Sequence, residues 1–164
     1  MMEDFYGEEI NLDKHKVKIA GTNEIVNTDK EKSILATNSI STCVAMLLIC
    51  EEEAYMFHML TQNDEDYKLG LSKAKELIKN TNSKINELLL FYGEKTERDR
   101  IDNLKSIFNT NNLYKAYIEF GGCGGIAYDF STKQFYGFDG DFNFYEYKFG
   151  FDNRSAIFGL NNKI

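Results

Sequence analysis

Proline and tryptophan are both absent from the 164-residue sequence. Turns must therefore be made by other residues, and 12 glycines with frequent asparagine supply them. Cysteine is scarce: three, at positions 43, 50 and 123, with no C-x-x-C pair and no Cys/His metal spacing. An odd number so placed excludes a disulfide framework and fits free thiols in a reducing compartment. Positive charge is in deficit. A net charge of −7 with scattered Lys and Arg argues against a protein that neutralises a phosphate backbone, so no nucleic-acid partner is expected. Long apolar runs are missing as well. The longest, Val44–Cys50, is far short of the roughly 20 residues a bilayer-spanning helix needs, so no membrane insertion is expected. The first 16 residues are acidic and polar, unlike a secretory signal peptide, which points to the cytoplasm. Translocation into a host cell by a specialised secretion system would leave no recognisable mark.

What is present is aromatic: 10 Tyr and 13 Phe, a bias toward strands. Apolar residues make up 43% and charged residues 27%, the balance of a globular chain long enough for its own core. Residues 1–14 read as a loose lead-in. Val17–Ile19, Glu24–Val26 and Ser33–Thr37 read as short strands. Cys43–Cys50 is continuously apolar and suits a strand buried on both faces, returning after the Glu51–Glu53 turn as Ala54–Leu60. Leu71, Ala74, Leu77 and Ile78 then repeat with helical period. Glu87–Tyr92 is a strand closed by Gly93. A second helix follows with Thr96 as its N-cap and Ile101, Leu104, Ile107 and Phe108 as its apolar stripe. Leu113–Phe120 is a further strand, and Ile126–Phe130 with Gln134–Phe138 form a hairpin. Residues 139–164 form an aromatic-rich C-terminal extension, which from Asp139 onward alternates Phe and Tyr with polar residues, a half-buried strand pattern. The sum is a single α+β domain with a mixed, mostly antiparallel sheet arrangement and about two principal helices.

One constellation carries chemistry. A thiol nucleophile needs a base within reach and a third group to orient that base. Cys43 and His58 are 15 residues apart, the length of one hairpin, and Thr37 lies six residues before the cysteine. Its hydroxyl is suited to accept the imidazole N–H and fix the tautomer. The polar run Asn38–Thr42, Ser41 and Thr42 above all, leads directly into the cysteine and is suited to aim backbone N–H groups at an oxyanion. Each residue also has a bland reading: Cys43 as a small buried hydrophobe, His58 as a satisfied core histidine, Thr37 as an ordinary strand residue.

A resemblance reaches most of the chain. Val17-Lys18-Ile19, then Ser33–Thr37 leading to Ser41-Thr42-Cys43-Val44-Ala45, resembles the opening of the chemoreceptor glutamine deamidase family, CheD. His58-Met59-Leu60 resembles its next landmark. Leu89–Gly93, the Glu97-Arg98-Asp99-Arg100 helix start, Phe120–Gly124 and Tyr128–Gln134 follow in the same order, so about residues 17–138 are covered. The toxin deamidases related to cytotoxic necrotizing factor are similar in architecture. The resemblance implies Cys43 as nucleophile, His58 as general base and acid, and Thr37 as the histidine's partner, with Gly121 and Gly122 bordering the pocket. It implies conversion of a target protein's Gln to Glu with release of ammonia, and no metal or organic cofactor. The target would be a chemoreceptor or, for a divergent effector, a host protein, with a regulatory protein partner left open. The sequence departs from the family at Ser39 and Ser41, where glycine is expected, and at Thr61-Gln62, where a proline is expected. Two rivals remain: a non-catalytic binding module of the same fold, and a cysteine protease using the same dyad.

Other motifs are set aside. Asp139-Gly140-Asp141-Phe142-Asn143 starts like a calcium loop, but Phe144 stands where glycine belongs and Gly150 where glutamate belongs, so a polar turn is the better reading. The Gly121–Gly125 run lacks the context of a phosphate loop. Cys50 and Cys123 read as structural thiols, and His15 as exposed.

Overall fold

A computed structural model describes residues 6–81, 83–93, 95–108, 114–120 and 124–147. The apolar runs become strands, and their order builds two sheets. In chain order the strands are β1 (Tyr6–Ile10), β2 (Val17–Ile19), β3 (Ile25–Asn27), β4 (Ile34–Thr37), β5 (Val44–Cys50), β6 (Ala54–Met59), β7 (Ile85–Gly93), β8 (Tyr114–Phe120), β9 (Ile126–Asp129), β10 (Gln134–Phe138) and β11 (Phe144–Tyr147). Helix α1 (Asp64–Asn80) joins β6 to β7, and α2 (Arg98–Phe108) joins β7 to β8. One sheet has the order β1-β11-β10-β9-β4-β2 and the other β3-β6-β5-β7-β8. Among the described strand pairs, β2–β4 and β7–β8 are parallel and the others antiparallel. The α+β domain with mostly antiparallel sheets and two helices is thus the observed architecture.

Strand alternation sorts the side chains into layers. Ala45, Leu47, Ile49, Ala54, Met56, Leu89 and Phe91 meet Leu35, Ile126, Tyr128 and Phe135 of the other sheet. The opposite face of the five-stranded sheet, with Val44, Met46, Leu48, Phe57 and Met59, is covered by Tyr67 and Ala74 of α1 and by Ile101 and Leu104 of α2. Strand β5 lies in the middle, so all seven of its residues are buried, as a run without polar alternation requires. Truncating one of its large side chains would cost about 2–5 kcal/mol.

Two expectations change. The lead-in is not loose throughout, because Tyr6–Ile10 pairs antiparallel with β11 and forms one edge of its sheet. Residues 144–147 of the aromatic extension are that β11, the strand its alternating pattern predicts, bonded on its other side to β10. Thr96 is not a helix cap: α2 starts at Arg98, and the Glu97 carbonyl accepts from the Arg100 and Ile101 amides. The real cap of α1 is Asn63, whose side chain accepts from the Asp66 amide. Arg100 joins the two helix starts through Asp64, Glu97 and the Asn63 carbonyl while lying over the Tyr67 ring. Among the described residues no helix is long and apolar enough to cross a membrane.

Candidate functional site

Thr37 is the last residue of β4 and His58 the penultimate residue of β6, so they belong to different sheets. Alternation turns both inward. Leu35 faces the second sheet, and two residues on Thr37 does the same; Met56 faces the first sheet, and two residues on so does His58. They meet with Thr37 Oγ1 2.7 Å from His58 Nδ1, both residues almost wholly buried.

The hydroxyl has a single proton, and it is directed at the Ala20 carbonyl, 2.7 Å away. Thr37 can therefore only accept from the ring. This sets the tautomer: Nδ1 carries the hydrogen, and Nε2 presents its lone pair. Nε2 is itself buried and has no hydrogen-bond partner among the described residues. Burial pushes the imidazole pKa below its usual value. The ring is neutral near pH 7 and is ready to act as a base.

Segment Ala20–Glu24 braces this pair. The Ala20 amide bonds to the Ala36 carbonyl on one sheet, while the Asn23 amide donates to the His58 carbonyl on the other. Asn23 adopts the left-handed conformation, φ 62°, which asparagine tolerates better than most residues.

Cys43 stands at the bend just before β5 and is 6% exposed. Ala45 is paired with His58, and Cys43 lies two residues before Ala45, one residue outside the β5–β6 ladder, which begins at the Val44–Met59 pair. Thr42 Oγ1 lies 3.8 Å from its sulfur. The loop ahead of it is tightly held. The Ile40 amide donates to the Gly124 carbonyl, and the Lys95 amide to the Ser41 carbonyl. A Cβ at Gly93 would collide with the Ile40 and Ser41 carbonyls, so only glycine allows this approach. Ser39 sits at φ 61° at one of the positions where the resemblance expects glycine.

Two further threonines complete the site. Thr61 Oγ1 donates to the Thr42 carbonyl at 2.8 Å, and Thr96 Oγ1 to the Cys43 carbonyl at 2.9 Å. Neither carries a role in the sequence reading, where Thr61 is only a missing proline and Thr96 a helix cap. Nothing in spacing alone marks a hydroxyl that reaches a backbone on another strand.

The remaining candidates divide clearly. Gly121, Gly122 and Cys123 lie outside the described residues; next to them, the Gly124 carbonyl accepts from Ile40 in the loop ahead of Cys43. Cys50 is buried at the far end of β5, and burial pushes its thiol pKa up. His15 is exposed. The Asp139 carboxylate accepts from the Asp141 amide, the Asn143 side chain and the Tyr145 hydroxyl, which accounts for the turn Asp139–Asn143 without an ion. No protein-family model matches the chain, and no curated protein sequence matches it.

Proposed function

We propose that the chain is a cysteine-dependent amidohydrolase acting on the glutamine side chains of a protein. The observation that carries this reading is the Thr37–His58 hydrogen bond with the threonine proton committed to Ala20, which leaves Nε2 as the basic face of a neutral ring. Cys43 directly precedes β5, two residues before Ala45, which is paired with His58 in the β5–β6 ladder. The choice of glutamine, and of a protein target such as a chemoreceptor, comes from the resemblance of Ser41–Ala45 and His58–Leu60 to CheD.

The chemistry follows from a neutral base. Nε2 takes the thiol proton as Sγ attacks the carboxamide carbon, and catalytic hydrogen bonds of this kind often close only once substrate is bound. Backbone N–H groups of the Ser41–Cys43 segment would hold the tetrahedral oxyanion. The imidazolium returns its proton to the departing nitrogen, which leaves as ammonia and creates a thioester. Water, deprotonated by Nε2, attacks the thioester; the thiolate recovers the proton, and a glutamate carboxylate is released.

The deep burial of both groups favours a second reading, a binding module in which Cys43 and His58 are core residues. Intact-mass analysis of a chemoreceptor cytoplasmic domain incubated with the protein separates the two. Deamidation adds about one dalton per site and releases ammonia, and Cys43→Ala abolishes both. Chain cleavage would instead identify a protease. Absence of any mass change, with Cys43 no more readily alkylated than Cys50, would favour the binding module.

A further inference from the structure

We infer that Thr61 and Thr96 are positioning residues that clamp the backbone of Cys43 from both sides; the inference rests on the reading of Cys43 as a nucleophile. Peptide units are planar, so two planes meet at the Cys43 Cα, and their orientations set its φ and ψ. Those two angles decide where the Cα–Cβ bond points, which leaves rotation about that bond as the sulfur's one remaining freedom. Thr61 holds the plane before Cys43 through the Thr42 carbonyl, and Thr96 holds the plane after it through the Cys43 carbonyl. Both threonines are buried. The Thr96 hydroxyl is also fixed in rotation, because its oxygen accepts the Gly93 amide while its proton goes to Cys43.

The clamp comes from the chain segments that flank β5. Thr61 is three residues beyond His58, so the segment that carries the base also holds the nucleophile's peptide. Thr96 lies in the turn between β7, the other neighbour of β5, and α2. Cys43 stands outside the ladder, which begins at Val44, so strand pairing alone does not orient it. A reacting group must be held within about 0.5 Å and 10–20° of its productive geometry, and these hydroxyls supply that constraint.

The test uses the full chain and the rate at which iodoacetamide alkylates Cys43, followed by peptide mass analysis across pH, with thermal unfolding measured in parallel. Thr61→Val and Thr96→Val keep the shape and delete the hydroxyl; each is expected to slow Cys43 alkylation about tenfold, as small misplacements of reacting groups do. Thr61→Ser and Thr96→Ser restore the donor and should recover to within about threefold of wild type. In a His58→Gln background the Val substitutions should have less than about twofold further effect, because the base they align is gone. Thr→Ala versions replace Val wherever Val does not fold.

Val variants as reactive as wild type, Ser variants as slow as Val, or an undiminished Val effect without His58 would each overturn the clamp. If His58→Gln alone leaves the wild-type rate unchanged, the cysteine–histidine reading fails and the clamp with it. If His58→Gln slows the thiol and the threonine variants do not, only the clamp fails.

Discussion

Thr37 Oγ1 and His58 Nδ1 lie 2.7 Å apart although one ends a strand of the six-stranded sheet and the other belongs to the five-stranded sheet. This hydrogen bond crosses the core between the sheets, and the Ala20 carbonyl decides its direction. A polar contact so enclosed acts on both stability and chemistry.

Removing the hydroxyl without changing shape tests both. Thr37→Val leaves the Ala20 carbonyl and His58 Nδ1 without this partner and is expected to cost about 1–3 kcal/mol in urea unfolding. Thr37→Ser should recover most of that loss. Nitrogen NMR of the wild-type ring should report hydrogen on Nδ1; hydrogen on Nε2 instead would refute the tautomer argued above.

The pH dependence of stability has a definite sign. Burial lowers the folded pKa of His58, whereas the unfolded chain takes up its proton near 6.5. Above that value both states are neutral and stability is fully retained. As pH falls from about 6.5 toward the lowered folded value, only the unfolded state binds the proton, and stability is lost. Urea midpoints should therefore drop between about pH 7 and 5.5 more steeply for wild type than for His58→Gln. Parallel curves would contradict the burial of an unprotonated ring.

Gly93→Ala should damage the loop ahead of Cys43 from outside it. The added methyl meets the carbonyls of Ile40 and Ser41, rigid backbone rather than a movable side-chain tip. An overpacking cost of about 1–3 kcal/mol is expected in thermal or denaturant unfolding, with slower alkylation of Cys43. A variant as stable as wild type would mean the loop shifts freely.

Ser39→Gly should act in the opposite sense. An exposed serine at φ 61° carries left-handed strain that glycine does not. Relief of that strain, partly offset by greater freedom of the unfolded chain, is expected to raise stability by up to about 1 kcal/mol. A fall in melting temperature would show that the serine side chain contributes more than its backbone costs.

Much of the secondary structure was legible along the chain because its signals are local. The unbroken run Val44–Cys50 states double burial, and the Leu71–Ile78 period states a helix face. Errors arose where a residue's partner is distant. Tyr6–Ile10 has little apolar alternation of its own and is a strand through its pairing with residues 144–147. Thr96 precedes a helix, as a cap would, yet its hydroxyl is used by Cys43, 53 residues away.

The sequence by itself determined the α+β class, the buried strand that carries His58 and the one that begins directly after Cys43, and it offered Thr37 as the histidine's partner. Period and composition act over a few residues, and side-chain chemistry is intrinsic to each residue, so neither waits for the fold. Only the tertiary structure decided that Thr37 and His58 come from opposing sheets, that Ala20 directs the threonine proton, and that Thr61 and Thr96 hold the peptides around Cys43. Each of these is a hydrogen bond between segments brought together by sheet packing, and its geometry exists only once the layers are in place.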